Sequence, residues 1–167
     1  AISFVRQSVF SGRSIPKIAS EGLAGTPLPY RSKSPIIPDF TDYPKQWILS
    51  RTALPEARDG KYARFDELHI QAAADVPITR LVGAAGDEVG RLIGWGIADG
   101  RLIDSDSTLT LAEGETVEAL YDRLGGRFIL LWRDGDRLRL RMDVAGGMSA
   151  IFAPDHGIAA ATTSLLG

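Results

Sequence analysis

Few residues in this chain of 167 have types and spacings suited to catalysis. Cysteine is absent, which excludes thiol nucleophiles, disulfides and cysteine zinc sites within the sequence. Ser3, Ser8 and Ser11 are not terminal, so none gains an α-amino group as its base. His69 and His156 lack partners at the spacing that metal binding or acid–base catalysis needs. We therefore expect no catalytic residue and no metal site.

Two pairs of carboxylates lie close together in the sequence, Asp104 with Asp106 and Asp134 with Asp136. A divalent cation needs about six oxygens around one point, which two carboxylates do not supply. Aspartate beside glycine or serine is ordinary turn chemistry, because its side chain bonds to the nearby backbone. Turns are therefore favoured over cation sites.

Three arginines alternate with three apolar residues over residues 137–142, Arg137, Arg139 and Arg141 against Leu138, Leu140 and Met142. This alternation predicts a strand whose apolar side faces the core and whose other side carries guanidinium groups. The simpler interpretation is a solvated sheet face. The alternative is a candidate interface for an acidic partner surface, since arginine pairs bidentately with carboxylates.

Composition and charge indicate a single soluble globular domain. Hydrophobic residues make up 44% of the chain, and its formal net charge is −2. That charge gives no general attraction to nucleic acid or anionic lipid, so neither is an expected partner. No apolar run approaches the roughly 20 residues that cross a bilayer, and no signal peptide is visible. We expect a cytoplasmic location.

The composition and regularity of the sequence change near residue 60. Residues 1–60 are rich in proline and glycine and predict an irregular segment with one short strand near residue 4, anchored by Trp47-Ile48-Leu49. Residues 61–167 predict a sheet domain, with both parts forming one domain. Residues 115–124 predict a helix, with Thr116 as N-cap and glycines 125 and 126 ending it. Alternation, apolar runs and turn signals predict strands near 68–72, 78–82, 89–97, 101–103, 108–111, 128–132, 137–142, 149–153 and 157–163.

After the helix, a series of short motifs follows in a fixed order. They are Gly126-Arg127-Phe128, Trp132-Arg133-Asp134-Gly135, Arg141-Met142-Asp143-Val144-Ala145-Gly146, Ile151-Phe152 and residues 160–166. This order resembles the C-terminal part of the class II glutamine amidotransferase domain of asparagine synthetases. That family has a G-x-F strand, a D-G hairpin, an R-D-x-x-G element and two closing strands. Here one residue is inserted between the Arg and the Asp.

The resemblance implies an α+β fold, an Ntn-hydrolase-like sandwich of two mainly antiparallel sheets with a flanking helix. Residues 126–166 would be adjacent strands of that sandwich. The resemblance gives structural roles to Gly126, Phe128, Asp143 and Gly146. Asp143 would be buried, accepting hydrogen bonds from backbone N–H groups of residues 145–147.

The glutaminase machinery of that family is missing from the sequence. The family's nucleophile is an N-terminal cysteine, whereas position 1 is Ala, and Gly94-Trp95-Gly96 lies where the family has its N-G-E loop. The resemblance therefore implies a degenerate domain, similar to those of β-lactam synthetases and some lasso-peptide cyclases.

We expect such a domain to support an asparagine-synthetase-like, ATP-dependent amide-forming ligase in cis or in trans, in peptide or natural-product biosynthesis. The chain alone is not expected to be an enzyme. It would hold no cofactor, because ATP and Mg²⁺ would bind in the synthetase domain, whose S-G-G-x-D-S loop is absent here. One alternative is a stand-alone binding module that uses the vestigial glutamine pocket. Another is an amidohydrolase with an unrecognised nucleophile.

Overall fold

The structure, a computed structural model, describes residues 3–4, 45–55, 59–104, 107–148, 150–153 and 158–161. This part of the chain is mostly strand and has one short helix. The strands are β1 Ser3–Phe4, β2 Trp47–Ser50, β3 Gly60–Phe65, β4 Leu68–Ala73, β5 Ile78–Val82, β6 Glu88–Ala98, β7 Arg101–Ile103, β8 Thr108–Thr110, β9 Gly125–Asp134, β10 Arg137–Met142, β11 Ile151–Ala153 and β12 Ile158–Ala161, and the helix is α1 Val117–Arg123.

The strands form two sheets. Sheet 1 has the order β1-β10-β9-β6-β5-β8, with β7 also paired to β6, and sheet 2 has the order β11-β12-β2-β4-β3. Two pairs, β1 with β10 and β5 with β8, are parallel, and the others are antiparallel. This agrees with the predicted sandwich of two mainly antiparallel sheets. The expectation that residues 126–166 form adjacent strands is met only in part, because β9 and β10 pair in sheet 1 whereas β11 and β12 pair in sheet 2.

Strand β9 is buried on both of its faces, as its continuous apolar run predicts. Ile129 and Leu131 join the core cluster that sheet 1 shares with sheet 2. Phe128, Leu130 and Trp132 join a second cluster with α1. Each fully buried side chain of this kind stabilises the fold by about 1.5–3 kcal/mol. The architecture is therefore layered, with sheet 1 between sheet 2 and the helix.

Helix α1 has the predicted N-cap and ends within one residue of the predicted position, but with a different cap. The side chain of Thr116 accepts a hydrogen bond from Ala119 N at 3.2 Å, which confirms it as the N-cap. The C-cap, Leu124, has an extended backbone, and Gly125 opens β9 directly. The expectation that the glycines terminate the helix is therefore wrong, because the chain passes from helix into strand without a left-handed cap.

The first sixty residues contain more sheet than the sequence predicts. Trp47–Ser50 is a fully buried strand in the middle of sheet 2, and β3 begins at Gly60. A four-residue strand with no polar alternation has no period to recognise, which explains the miss. The short strand near the start is Ser3–Phe4, and the predicted irregular stretch over residues 5–44 lies outside the described residues.

None of the described residues belongs to a helix that is long and apolar enough to cross a membrane.

Candidate functional site

The first candidate region is the Asp143 loop, residues 143–148, where the chain crosses from sheet 1 to sheet 2. Asp143 is 5% exposed. Its Oδ1 accepts from Gly147 N at 2.9 Å, and its Oδ2 accepts from Met148 N at 3.2 Å and from Phe128 N at 3.3 Å. Burial and backbone bonding are as predicted, but two of the donors are Met148 and Phe128 rather than residues 145 and 146.

Further contacts close the Asp143 loop. Gly146 N donates to Asp143 O at 3.0 Å, and Gly146 has a φ of +64°, a conformation that favours glycine. The guanidinium of Arg127 donates from Nε and Nη2 to Gly147 O, at 3.1 and 2.7 Å. Because the carboxylate accepts three backbone hydrogen bonds, both of its oxygens hold the turn together.

The Gly94-Trp95-Gly96 segment lies on β6 beside this loop. A Cβ added at Gly94 would lie 2.4 Å from Arg127 O and 2.7 Å from Met148 Sδ. Gly94 and Gly126 have φ values of +102° and +126°. The backbones of β6 and β9 thus approach too closely for a side chain at Gly94. The hypothesis that a vestigial pocket here binds a ligand stays a prediction.

The three arginines of β10 differ in their surroundings. Arg139 donates to Asp134 Oδ2 from Nε at 3.0 Å and from Nη2 at 2.8 Å. Arg141 lies over the rings of Tyr121 and Trp132, at 5.0 and 5.9 Å from the ring centroids. Arg137 is exposed, and its side chain has no ion pair or hydrogen bond among the described residues. Of the three arginines, Arg137 is therefore the strongest candidate for the hypothetical interface.

The apolar residues that alternate with these arginines differ in burial. Leu138 and Leu140 are buried in the shared core, as predicted. Met142 is 38% exposed, so the expectation that it faces the core is wrong. It is the last residue of β10, beyond which the chain turns into the Asp143 loop.

The remaining candidate residues form no catalytic group. His69 Nδ1 lies 2.7 Å from the hydroxyl of exposed Tyr62, so this histidine is hydrogen-bonded at the surface. Over the described residues, no three histidine, cysteine or acidic side chains cluster in a way that could hold a metal. Ser3 lies in β1, and Asp104 and Asp136 are exposed. The remaining candidates lie outside the described residues: Ser8, Ser11, Asp106 and His156.

The second candidate region, which the sequence did not reveal, is a charged cleft of about 260 Å³ where one end of sheet 2 meets sheet 1. Its lining consists of Arg64, Phe65, Asp66, Glu88 and Arg133. They come from the end of β3, its following turn, the start of β6 and the end of β9. Their wide separation in sequence explains why no motif marks them.

One ion pair and one contact to a backbone carbonyl join the two sheets at the cleft. Arg133 of sheet 1 pairs with Asp66 in the turn after β3. The Nε of Arg64 donates to Asp66 O at 3.2 Å. Nη2 of Arg91 approaches Arg64 O at 3.5 Å. Asp66 has a φ of +54°, a left-handed conformation that aspartate tolerates better than most residues.

Glu88 reaches the cleft through an irregularity in β6. Leu81 pairs with Gly90 and Val82 with Glu88, which leaves Val89 as the extra residue of a β-bulge. Val89 packs on the helix-side core. A bulge changes the direction of the neighbouring side chain, and here Glu88 contacts Arg80 of the neighbouring strand β5 and Arg91 of its own strand.

Glu88 separates two like charges. Arg80 and Arg91 are directly opposite each other on β5 and β6, an arrangement that is repulsive on its own. Glu88 Oε2 accepts from Arg80 Nε at 2.9 Å, and Glu88 Oε1 lies 2.6 Å from Arg91 Nε. The second contact is an ion pair without hydrogen-bond alignment, since both atoms lack a hydrogen-bond partner. The arrangement holds guanidinium groups in place and suits anion binding better than bond cleavage.

A third charged group fixes α1. Glu115 Oε2 accepts from Ala112 N at 2.9 Å, and Glu115 Oε1 accepts from Arg123 Nη2 at 2.5 Å. The hydrogen bond from the backbone of Ala112, and then that from Arg123, hold the pKa of Glu115 below its ordinary value. Arg123 also pairs with Asp99 in the β6–β7 turn. The group joins the start and the end of the helix to sheet 1.

In comparisons with protein-family models, curated proteins and solved structures, the chain matches none.

Proposed function

We propose that the chain is a non-catalytic, glutamine-amidotransferase-like domain that supports an asparagine-synthetase-like, ATP-dependent amide-forming ligase. The observation that carries this proposal is the order of elements from α1 to β12. A helix, the strand with Gly126 and Phe128, a hairpin, the Asp143 loop and two more strands follow one another along the chain, in an order that resembles that of the family. On this proposal the two-sheet sandwich is a degenerate Ntn-hydrolase fold.

A non-catalytic role is supported by the chemistry of the described residues. The 167 residues contain no cysteine. The carboxylate of Asp143 is occupied by backbone donors, and the segment beside it is filled by Met148 and the backbone of β9. A domain of this kind contributes by positioning its partner, so what it binds is the surface of the ligase.

The direct test of the non-catalytic role measures ammonia release from glutamine by the purified chain. We expect no release above buffer. Release that follows the protein through purification would overturn the proposal and favour an amidohydrolase with an unrecognised nucleophile.

The test of the supporting role uses the synthetase domain, recognised by its S-G-G-x-D-S loop, that is encoded in the same or the neighbouring gene. We expect co-elution with this chain and ATP-dependent amide formation that requires it. Arg137→Glu should weaken the complex about tenfold if the arginine face meets an acidic surface. Arg101→Glu, an exposed reversal on β7, is the matched control. A ligase equally active without the chain would refute the supporting role.

A further inference from the structure

The charge of the cleft comes from its lining and from two arginines beside it. Arg64 and Arg133 line the cleft with the carboxylates of Asp66 and Glu88. Arg80 and Arg91 pair with Glu88 from outside the lining, so the whole group has four guanidinium groups and two carboxylates. Two further acids lie nearby. Glu67 pairs with Arg51 at 3.7 Å, and Asp87 is exposed in the turn before β6, with its Oδ1 beside Gly83.

Both carboxylates of the cleft are already paired. Asp66 is held by Arg133, and Glu88 is shared between Arg80 and Arg91. The remaining cation, Arg64, uses its Nε on a backbone carbonyl and has no carboxylate partner among the described residues. Its terminal nitrogens are therefore available as the donor pair that carboxylate and phosphate oxygens accept.

The size of the cleft limits what can enter. Pockets for drug-sized ligands have volumes of about 300–1,000 Å³. A cleft of about 260 Å³ is smaller, and it suits one anionic group rather than a nucleotide. Phe65, buried in the shared core, contributes an apolar wall beside Arg64.

We propose that the charged cleft binds a single oxyanion group, a carboxylate or a phosphate, with Arg64 as its principal partner. Arg133 and Arg91 supply a positive background, and their pairing with Asp66 and Glu88 keeps the cleft in shape. This inference rests on the geometry of the cleft and does not depend on the proposed ligase role. The group could belong to a free small anion or to an acidic side chain of a peptide, since both present the same oxygens.

The test measures binding to the full chain by NMR titration and calorimetry at low salt. Three probes are used: inorganic phosphate, glutarate, and a capped peptide of alternating glutamate and glycine. We expect amide shifts at residues 64–66 and 88, and an affinity that falls as salt is added. Arg64→Gln should lower the affinity at least tenfold, the size of one lost charge-assisted pair. The affinity of Arg64→Lys should lie between those of the wild type and Arg64→Gln, because lysine keeps the charge but loses the paired donors of the guanidinium group.

Arg101→Gln is the matched control, an exposed arginine on β7 whose loss should leave affinity unchanged. Thermal melts of all variants check that they fold alike. Binding of phosphate and glutarate that is lost in Arg64→Gln supports a small anion, and binding of the peptide alone with the same loss supports an acidic side chain. Equal binding by the Arg64→Gln and Arg101→Gln variants, or no shift with any probe, would overturn the proposal.

Discussion

The Asp143 loop and the charged cleft both join the two sheets, but they use charge in opposite ways. The loop satisfies one buried carboxylate with three backbone N–H groups. The cleft holds exposed and half-buried guanidinium groups against two carboxylates, and Arg64 has no carboxylate partner among the described residues. Because buried polar groups are costly when unpaired, the loop should govern stability. The cleft, which is open to water, should govern binding.

The largest expected effect is at Gly126, where β9 passes β6 beside the loop. An added Cβ would lie 2.3 Å from Trp95 O, and the φ of +126° is unfavourable for alanine. Gly126→Ala should therefore lower the free energy of unfolding by about 2–4 kcal/mol, from overpacking and backbone strain together. Urea denaturation measures the change.

Gly100→Ala separates the two causes, because Gly100 also has a positive φ but no atom near its would-be Cβ. It should lose about 1 kcal/mol, the cost of strain alone. Equal losses in both variants would show that close packing at Gly126 is unimportant.

The second effect tests the carboxylate of the loop. Asp143→Asn keeps the size but removes the charge and one acceptor, so the donors of Gly147, Met148 and Phe128 are incompletely satisfied. We expect a loss of about 1–3 kcal/mol in urea melts. Asp122→Asn on the exposed side of α1 is the control and should change stability by less than about 0.5 kcal/mol. An Asp143→Asn variant as stable as the wild type would refute the role of the loop.

A smaller effect is expected at the cleft. Glu88→Gln leaves Arg80 and Arg91 facing each other without a counter-charge, and the loss should be about 1 kcal/mol, limited by the exposure of these side chains. Added salt should reduce the loss, whereas it should not change that of Asp143→Asn. Glu67→Gln, which breaks an exposed pair with Arg51, is the control. A salt-independent loss at Glu88 would contradict the comparison.

The smallest effect is the pH dependence contributed by Glu115. Its pKa is lowered in the folded state, so its contribution is fully present above the ordinary glutamate pKa of about 4.3 and is lost as pH falls through the folded-state value. The exposed pairing limits this contribution to about 0.2–1 kcal/mol. Stability measured between pH 6 and pH 3 should fall more steeply in the wild type than in Glu115→Gln. Parallel curves would exclude the contribution.

Sequence patterns predicted the elements with a clear period and missed those without one. Strand β9 was predicted from its continuous apolar run, which is typical of a strand buried on both faces. Helix α1 was predicted from the apolar stripe on one of its faces. Strand β2 was missed, since four buried residues in a proline-rich region have no period. The helix end at Leu124 was predicted, but its cause was not, because glycine's freedom is used at Gly126 for a close approach between strands rather than for a cap.

The two candidate regions also differed in whether a local sequence pattern marks them. The burial of Asp143 was predicted because its loop is local in sequence and resembles a motif of a known family. The cleft was missed because Arg64, Glu88 and Arg133 meet only through the packing of two sheets. A bulge at Val89, which places Glu88 between two arginines, has no sequence signature in this chain.

The position of β2 in sheet 2 has a consequence for how the chain folds. It lies between β4 and β12, so one of its neighbours comes from residues 158–161, more than a hundred positions later. Until that late strand has been synthesised, a strand with no exposed side chain presents an unpaired edge. Because these contacts are so distant in sequence, we expect sheet 2 to close slowly. During synthesis, the unpaired edge of β2 is open to self-association until β12 pairs with it.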